Sequence, residues 1–159
     1  MEDNPQAVLT LKPIGVIHSP YKTKEEMPIQ GRFKPEVTGE IEVFKEYEEG
    51  LKDIEGFSHL IILYWFHRAG KPSLLVRPYL DDNPRGIFAT RYPTRPNPIG
   101  LSVVRLLGRE GNILHIAEVD VLDGTPLLDI KPYVPQFDRR EGARIGWLTG
   151  RVGGRGNSR

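Results

Sequence analysis

Cysteine is absent from all 159 residues, so the chain has no disulfide framework and no thiolate metal site. Long apolar runs are missing too. The longest, residues 60–66, falls far short of the roughly 20 residues that cross a bilayer as a helix, so no membrane partner is expected. The opening Met1-Glu2-Asp3-Asn4 is acidic and polar, unlike the basic-then-apolar start of a secretory leader, and cytoplasmic residence is the expectation. No Gly-x-Gly-x-x-Gly or P-loop pattern follows an apolar run, which removes the usual dinucleotide-type and phosphate-cradling loops. His18, His59, His67 and His115 are scattered, with no pair at metal-ligand spacing, so no metal is expected. His115, on a stretch of alternating apolar residues, reads as a core or interface histidine. Net charge is nearly nil at +1.

What remains is an ordinary globular composition, 38% hydrophobic and 27% charged, at a length suited to one domain. Residues 8–18 are rich in β-formers and read as a strand bent or edge-exposed at Pro13. Residues 39–44 alternate, with Ile41 and Val43 on one face. Residues 47–54 read as a short helix with Tyr47, Leu51 and Ile54 together. The apolar stretch 57–66 reads as a central strand, and residues 74–77 and 87–91 as two shorter ones. Residues 101–107 and 113–122 form a hairpin over the glycine-bearing connection 108–112, with Ile113, His115, Ala117, Val119 and Val121 on one face. Asp123-Gly124-Thr125-Pro126 makes a turn, and Thr125-Pro126 also fits a helix N-cap followed by its first residue. Long helices are nowhere indicated. Seven to eight short strands divided by turn signals imply an all-β fold, a closed antiparallel barrel or a sandwich.

Two regions depart from the average. In residues 86–102, Pro93, Pro96 and Pro98 each fix φ and remove a backbone donor, giving a stiff extended loop. Its carbonyls need solvent, a ligand or a partner, and it offers Arg91 and Arg95 to carboxylate or phosphate. Residues 139–159 hold six arginines against Glu141 alone, a local +5, so 1–138 is read as the folded domain and 139–159 as a basic, glycine-rich segment suited to an RNA backbone or to a frayed end.

The stretch Phe88-Ala89-Thr90-Arg91-Tyr92-Pro93-Thr94-Arg95-Pro96-Asn97-Pro98-Ile99-Gly100 resembles the signature of the TsaA-like family, which includes TrmO. Residues 14–22 and 123–133 resemble two further blocks of that family, in family order. The resemblance implies a single β-barrel domain, dimeric association and S-adenosylmethionine as cofactor. It also implies methyl transfer to N6 of a threonylcarbamoyl-modified adenosine beside the tRNA anticodon. Pro28, Ile29 and Gln30 resemble a Pro-Arg-Gln cofactor segment, with Ile29 replacing the arginine and its charge. His67 and Arg68 match a His-x pair at a strand end. Arg91 is expected to take the cofactor carboxylate, and Asp123, Gly124, Thr125 and Pro126 its amino, ribose or adenine groups. Leu101 and the Pro28-Ile29 segment supply apolar surface for the adenine. Arg95, Arg144 and Arg151 are the expected RNA contacts, Arg95 also toward the threonyl carboxylate. No residue stands out as the base for the N6 proton. Longer bacterial members continue well past the Asp-Gly-Thr-Pro block, whereas about 26 residues follow Tyr133 here, so tRNA recognition is expected to use the basic segment, a dimer surface, or to give way to another substrate. Two further readings stand beside this one: a methyltransferase of a small molecule, and a non-catalytic RNA-binding barrel.

Overall fold

The computed structural model describes residues 3–27, 34–78 and 81–152. Its strands are β1 (Gly15–His18), β2 (Thr38–Val43), β3 (His59–Trp65), β4 (Leu75–Val76), β5 (Arg85–Gly86), β6 (Ile99–Glu110), β7 (Ile113–Ala117) and β8 (Thr125–Pro132). Six of them close into an antiparallel barrel in the order β1-β2-β7-β6-β3-β8, while β4 and β5 pair separately. The expected closed barrel is present with six strands, not seven or eight. Short alternating segments fill its interior: Ile17, Ile41, Val43, Leu60, Ile62, Val104, Leu114, Ile116 and Leu127 are all buried. Barrels this narrow pack their cores with side chains and leave ligands to the mouths.

Several local readings change. Val8, Leu9 and Leu11 are exposed, and strand pairing begins only at Gly15, beyond the donor lost at Pro13. Residues 87–91 are not a strand. A 3-10 turn over Ile87–Ala89 buries Ile87 and leaves Phe88 exposed, a split between neighbours that serves an anchor on an excursion from the barrel. Lys45–Leu51 and Ile54–Gly56 are likewise 3-10 turns, with Leu51 buried and Tyr47 and Ile54 packed on the core.

In β7 Leu114 and Ile116 are buried in place of the expected Ile113 and His115, while Ala117 at its end is buried as expected. Glu118 adopts φ +65, which breaks the alternation, and Val119 and Val121 turn inward after it. His115 therefore points outward, 2.6 Å from Glu110 and 3.5 Å from Glu40, and is no core histidine. The Thr125-Pro126 pair opens β8, not a helix. Gly124 turns the chain at φ +82, and Pro126 pairs with Val16 just beyond the last β3–β8 pair, Tyr64 with Leu127, where its missing donor costs nothing. The only α-helical segment among the described residues is α1 (Pro135–Asp138).

Candidate ligand pocket at the barrel mouth

The β3 exit, the β6 entry and the 120–125 turn meet at one end of the barrel. After Trp65 the chain doubles back, with the His67 N–H on the Trp65 carbonyl at 2.7 Å and the Ala69 N–H on the Phe66 carbonyl at 3.1 Å. This carries His67 and Arg68 across the mouth. The proline loop returns on the other side. Its carbonyls find partners within the chain: Pro93 accepts from the Arg95 N–H, Thr94 from Ser73, Asn97 from Ile99 and Pro98 from Phe66, at 2.7–3.0 Å. The loop thus meets much of the demand of its own backbone. Arg95 adds to this, since its Nη1 donates to the Thr90 and Tyr92 carbonyls at 2.8 and 3.0 Å.

Between these walls lies a cavity of about 510 Å³, within the size range of small-molecule sites. His67, Arg68, Arg91, Arg95, Leu101 and Thr125 of the expected site all line it. Asp123, Gly124, Pro126, Arg144 and Arg151 do not. Asp123 is occupied beside the pocket, accepting from the Ser19 N–H at 3.0 Å and from Lys22 Nζ at 2.6 Å. The Lys22 hydrogen bond, then the Ser19 amide, hold its carboxyl below the usual range. Gly124 donates its N–H to Ile17, tying the turn to β1. Arg144 is exposed, and Arg151 is engaged elsewhere. Pro28, Ile29 and Gln30 lie outside the described residues; Met27, immediately before them, lines the cavity with Lys24.

The sequence reading passed over several groups here. At the floor, the Tyr64 hydroxyl meets Ser102 Oγ at 2.8 Å, and Ser102 donates to Asp120 Oδ1 at 2.6 Å. With Ser102 donating onward, Tyr64 donates to Ser102. Burial first, then the Asp120 charge, push the Tyr64 phenol well above its ordinary value, against the Ser102 hydrogen bond and the Arg91 charge. Tyr64 is a neutral donor at any working pH. Asp120 is the one carboxylate among the described residues lining the cavity, which it shares with Lys24, Arg68, Arg91 and Arg95. The signal was faint but present, since Gly100, Ser102 and Val104 share the inward face of β6 and a buried serine there requires a partner. Gly100 is needed for space, because a Cβ there would collide with the rings of Tyr64 and Phe66. The Thr94 hydroxyl, also on the wall, is buried without a hydrogen-bond partner among the described residues. Trp65 and Tyr92 expose aromatic faces at the rim. Among the described residues no group of three or more His, Asp or Glu gathers as a metal set.

Fold and site together define a small closed β-barrel with a cation-walled, ligand-sized pocket at one mouth. The chain belongs to the family of the tRNA-methyltransferase O N-terminal domain, whose model matches residues 16–139. It is 59% identical over 145 residues to a probable S-adenosyl-L-methionine-binding protein of Pyrococcus abyssi, covering 91% of this chain and 79% of that one. It is 42% identical over 132 residues to the tRNA (adenine(37)-N6)-methyltransferase of Escherichia coli, covering 77% of this chain and 56% of that enzyme. The crystal structure of TrmO from Pseudomonas aeruginosa superposes with a TM-score of 0.77 at 41% identity, over 88% of this chain and 62% of that one. Thus the chain spans little more than half the length of the enzyme relatives it matches.

Proposed function

We propose that this chain is an S-adenosylmethionine-dependent methyltransferase acting on N6 of the threonylcarbamoyl-modified adenosine beside the tRNA anticodon. The observation that carries the reading is the convergence of Arg91 and the apolar surface of Leu101, Val121 and Leu122 on one cavity. These groups fit the cofactor: a forked cation for its carboxylate and an apolar wall for its adenine. The family membership and the names of the relatives point the same way.

S-adenosylmethionine supplies an electrophilic methyl group on a sulfonium, transferred by in-line displacement. The chain's task is then to bind, align and exclude water. Arg91 holds the carboxylate from a rigid loop. Tyr92 offers a stacking face to an incoming base at the rim. Asp120, oriented by Ser102 and Tyr64, is the carboxylate placed to receive the proton that leaves N6. Arg95 faces the threonyl carboxylate or RNA phosphate with the part of its guanidinium not bracing the loop.

A homodimer in the cytoplasm belongs to this reading. No helix among the described residues is long and apolar enough to cross a membrane. The outer face of the β3–β6 ladder is apolar, with Trp65 opposite Ile99, Leu63 opposite Leu101 and Ile61 opposite Val103. Leu101 belongs both to that face and to the cavity, which sets the pocket beside the proposed interface.

The test is mass spectrometry of nucleosides from unmethylated tRNA incubated with the chain and S-adenosylmethionine. One added methyl on threonylcarbamoyladenosine is expected. Cofactor binding without a modified nucleoside would favour a small-molecule substrate, and no cofactor binding would favour the RNA-binding barrel.

A further inference from the structure

The segment after α1 does more than trail from the barrel. Residues 145–152 fold back onto residues 81–90, the excursion that leads into the Arg91 wall. The Trp147 indole N–H donates to the Ala89 carbonyl at 2.7 Å. The Arg85 guanidinium lies over the Trp147 ring, 5.2 Å from its centroid, and bonds to the carboxylate of Asp81, whose side chain is only 5% exposed. Arg151 donates from Nη1 to the Trp147 carbonyl at 2.6 Å and brings Nη2 to 3.8 Å from that same carboxylate. Asp81, Arg85, Trp147 and Arg151 thus form a closed ring of contacts. Gly146 at φ +57 and Gly150 at φ +81 supply the left-handed bends that fold the segment tightly enough to make it.

We propose that residues 145–152 are a strap that fixes the cofactor wall, with Trp147 as its positioning residue. The inference rests on the reading of the cavity as an S-adenosylmethionine site. The barrel itself grips the excursion weakly. β4 and β5 are two residues each and stand outside the barrel, and Ile87 is the one fully buried side chain between β5 and Arg91. Ala89 ends the 3-10 turn, and the next two residues, Thr90 and Arg91, line the cavity. A hydrogen bond on the Ala89 carbonyl therefore sets where the Arg91 backbone begins. The strap lies beyond residues 16–139, the span that the family domain matches.

The experiment is calorimetric titration of S-adenosylmethionine into the full chain and its variants. Trp147→Ala is expected to weaken binding about tenfold. Trp147→Phe, which keeps a ring for Arg85 and loses the donor, should weaken it about two- to tenfold, as one net hydrogen bond allows. The melting temperature should change little, because the strap lies off the core. In an Arg91→Ala background, Trp147→Ala should have almost no further effect, since Trp147 acts through Arg91. Wild-type affinity in both Trp147 variants, or fully additive losses in the double variant, would overturn the proposal. Should Trp147→Ala fail to fold, Trp147→Phe decides alone. A wild-type chain that takes up no cofactor would defeat the reading of the pocket, and the strap proposal with it, whereas unaltered variants beside a binding wild type defeat the strap only.

Discussion

Arg91 reaches the cavity from a backbone held still by its neighbours: the Thr90 hydroxyl bonds the Ile87 carbonyl and accepts from the Tyr92 N–H, while Arg95 spans the Thr90 and Tyr92 carbonyls. Meeting a carboxylate therefore requires no ordering of that backbone. Arg91→Ala should remove a charged hydrogen bond of about 1.5–3 kcal/mol, a roughly ten- to hundredfold loss in S-adenosylmethionine affinity, with the melting temperature nearly unchanged. An equal dissociation constant in calorimetry would take Arg91 out of the site. At this scale the sequence was informative where a residue type is unusual in its setting. Two arginines in a proline-rich loop stand out, and so does a His-Arg pair ending an apolar strand. Thr94 and Asp120 are ordinary residues made special by burial and by what folds against them; one chain read linearly shows nothing of Thr94, and of Asp120 only the hint that a serine on the inward face of β6 needs a partner. Asp123 illustrates the converse, since a conspicuous turn aspartate is held by Lys22 and Ser19 and not by the cavity.

Elements were legible when alternation and turn chemistry agreed. The β6–β7 hairpin, closing at Gly111 with φ +61, is the clear instance. β8 was hidden because Thr-Pro is equally a helix start, and only its pairing with β1 and β3 makes it a strand. The strap was invisible for the same reason: a glycine- and arginine-rich segment reads as solvated until an indole finds a carbonyl 58 residues away. Its electrostatics carry a pH signature. The Asn83 amide, then the Arg85 guanidinium, hold the Asp81 carboxyl below its ordinary 3.8, with Arg151 adding to the effect. A carboxyl depressed in the folded state contributes stability above its unfolded value and loses it as pH falls through the lower folded one. With Trp65→Phe, leaving Trp147 as the single indole, emission should hold steady from neutral pH down to 3.8 and shift red below it. A red shift already between about pH 5 and 7 would contradict a strap held by Asp81.

The whole molecule presents two surfaces of opposite character, a cation-rich mouth and the apolar outer ladder of β3 and β6, with Leu101 on both. Burying the ladder against a second copy is the simplest use of it, since two-fold homodimers are the commonest assemblies. Light scattering should give twice 18.0 kDa, and Val103→Lys, on the outward face, should return a folded monomer. A wild-type monomer at micromolar concentration would end that expectation. Barrel closure has a separate effect on how the chain comes to be folded at all. The seam between β1 and β8 joins Gly15 to Leu127 and Ile17 to Thr125, partners more than 100 residues apart along the chain. Contacts of such long range make barrels fold in about milliseconds to seconds, against microseconds for helical bundles. During synthesis β1 and β3 each keep an unpaired edge until β8 has left the ribosome. Thr125 opens that last strand and lines the cavity, so a nascent chain cannot capture a ligand early and use it as a template; the pocket is finished only when the fold is.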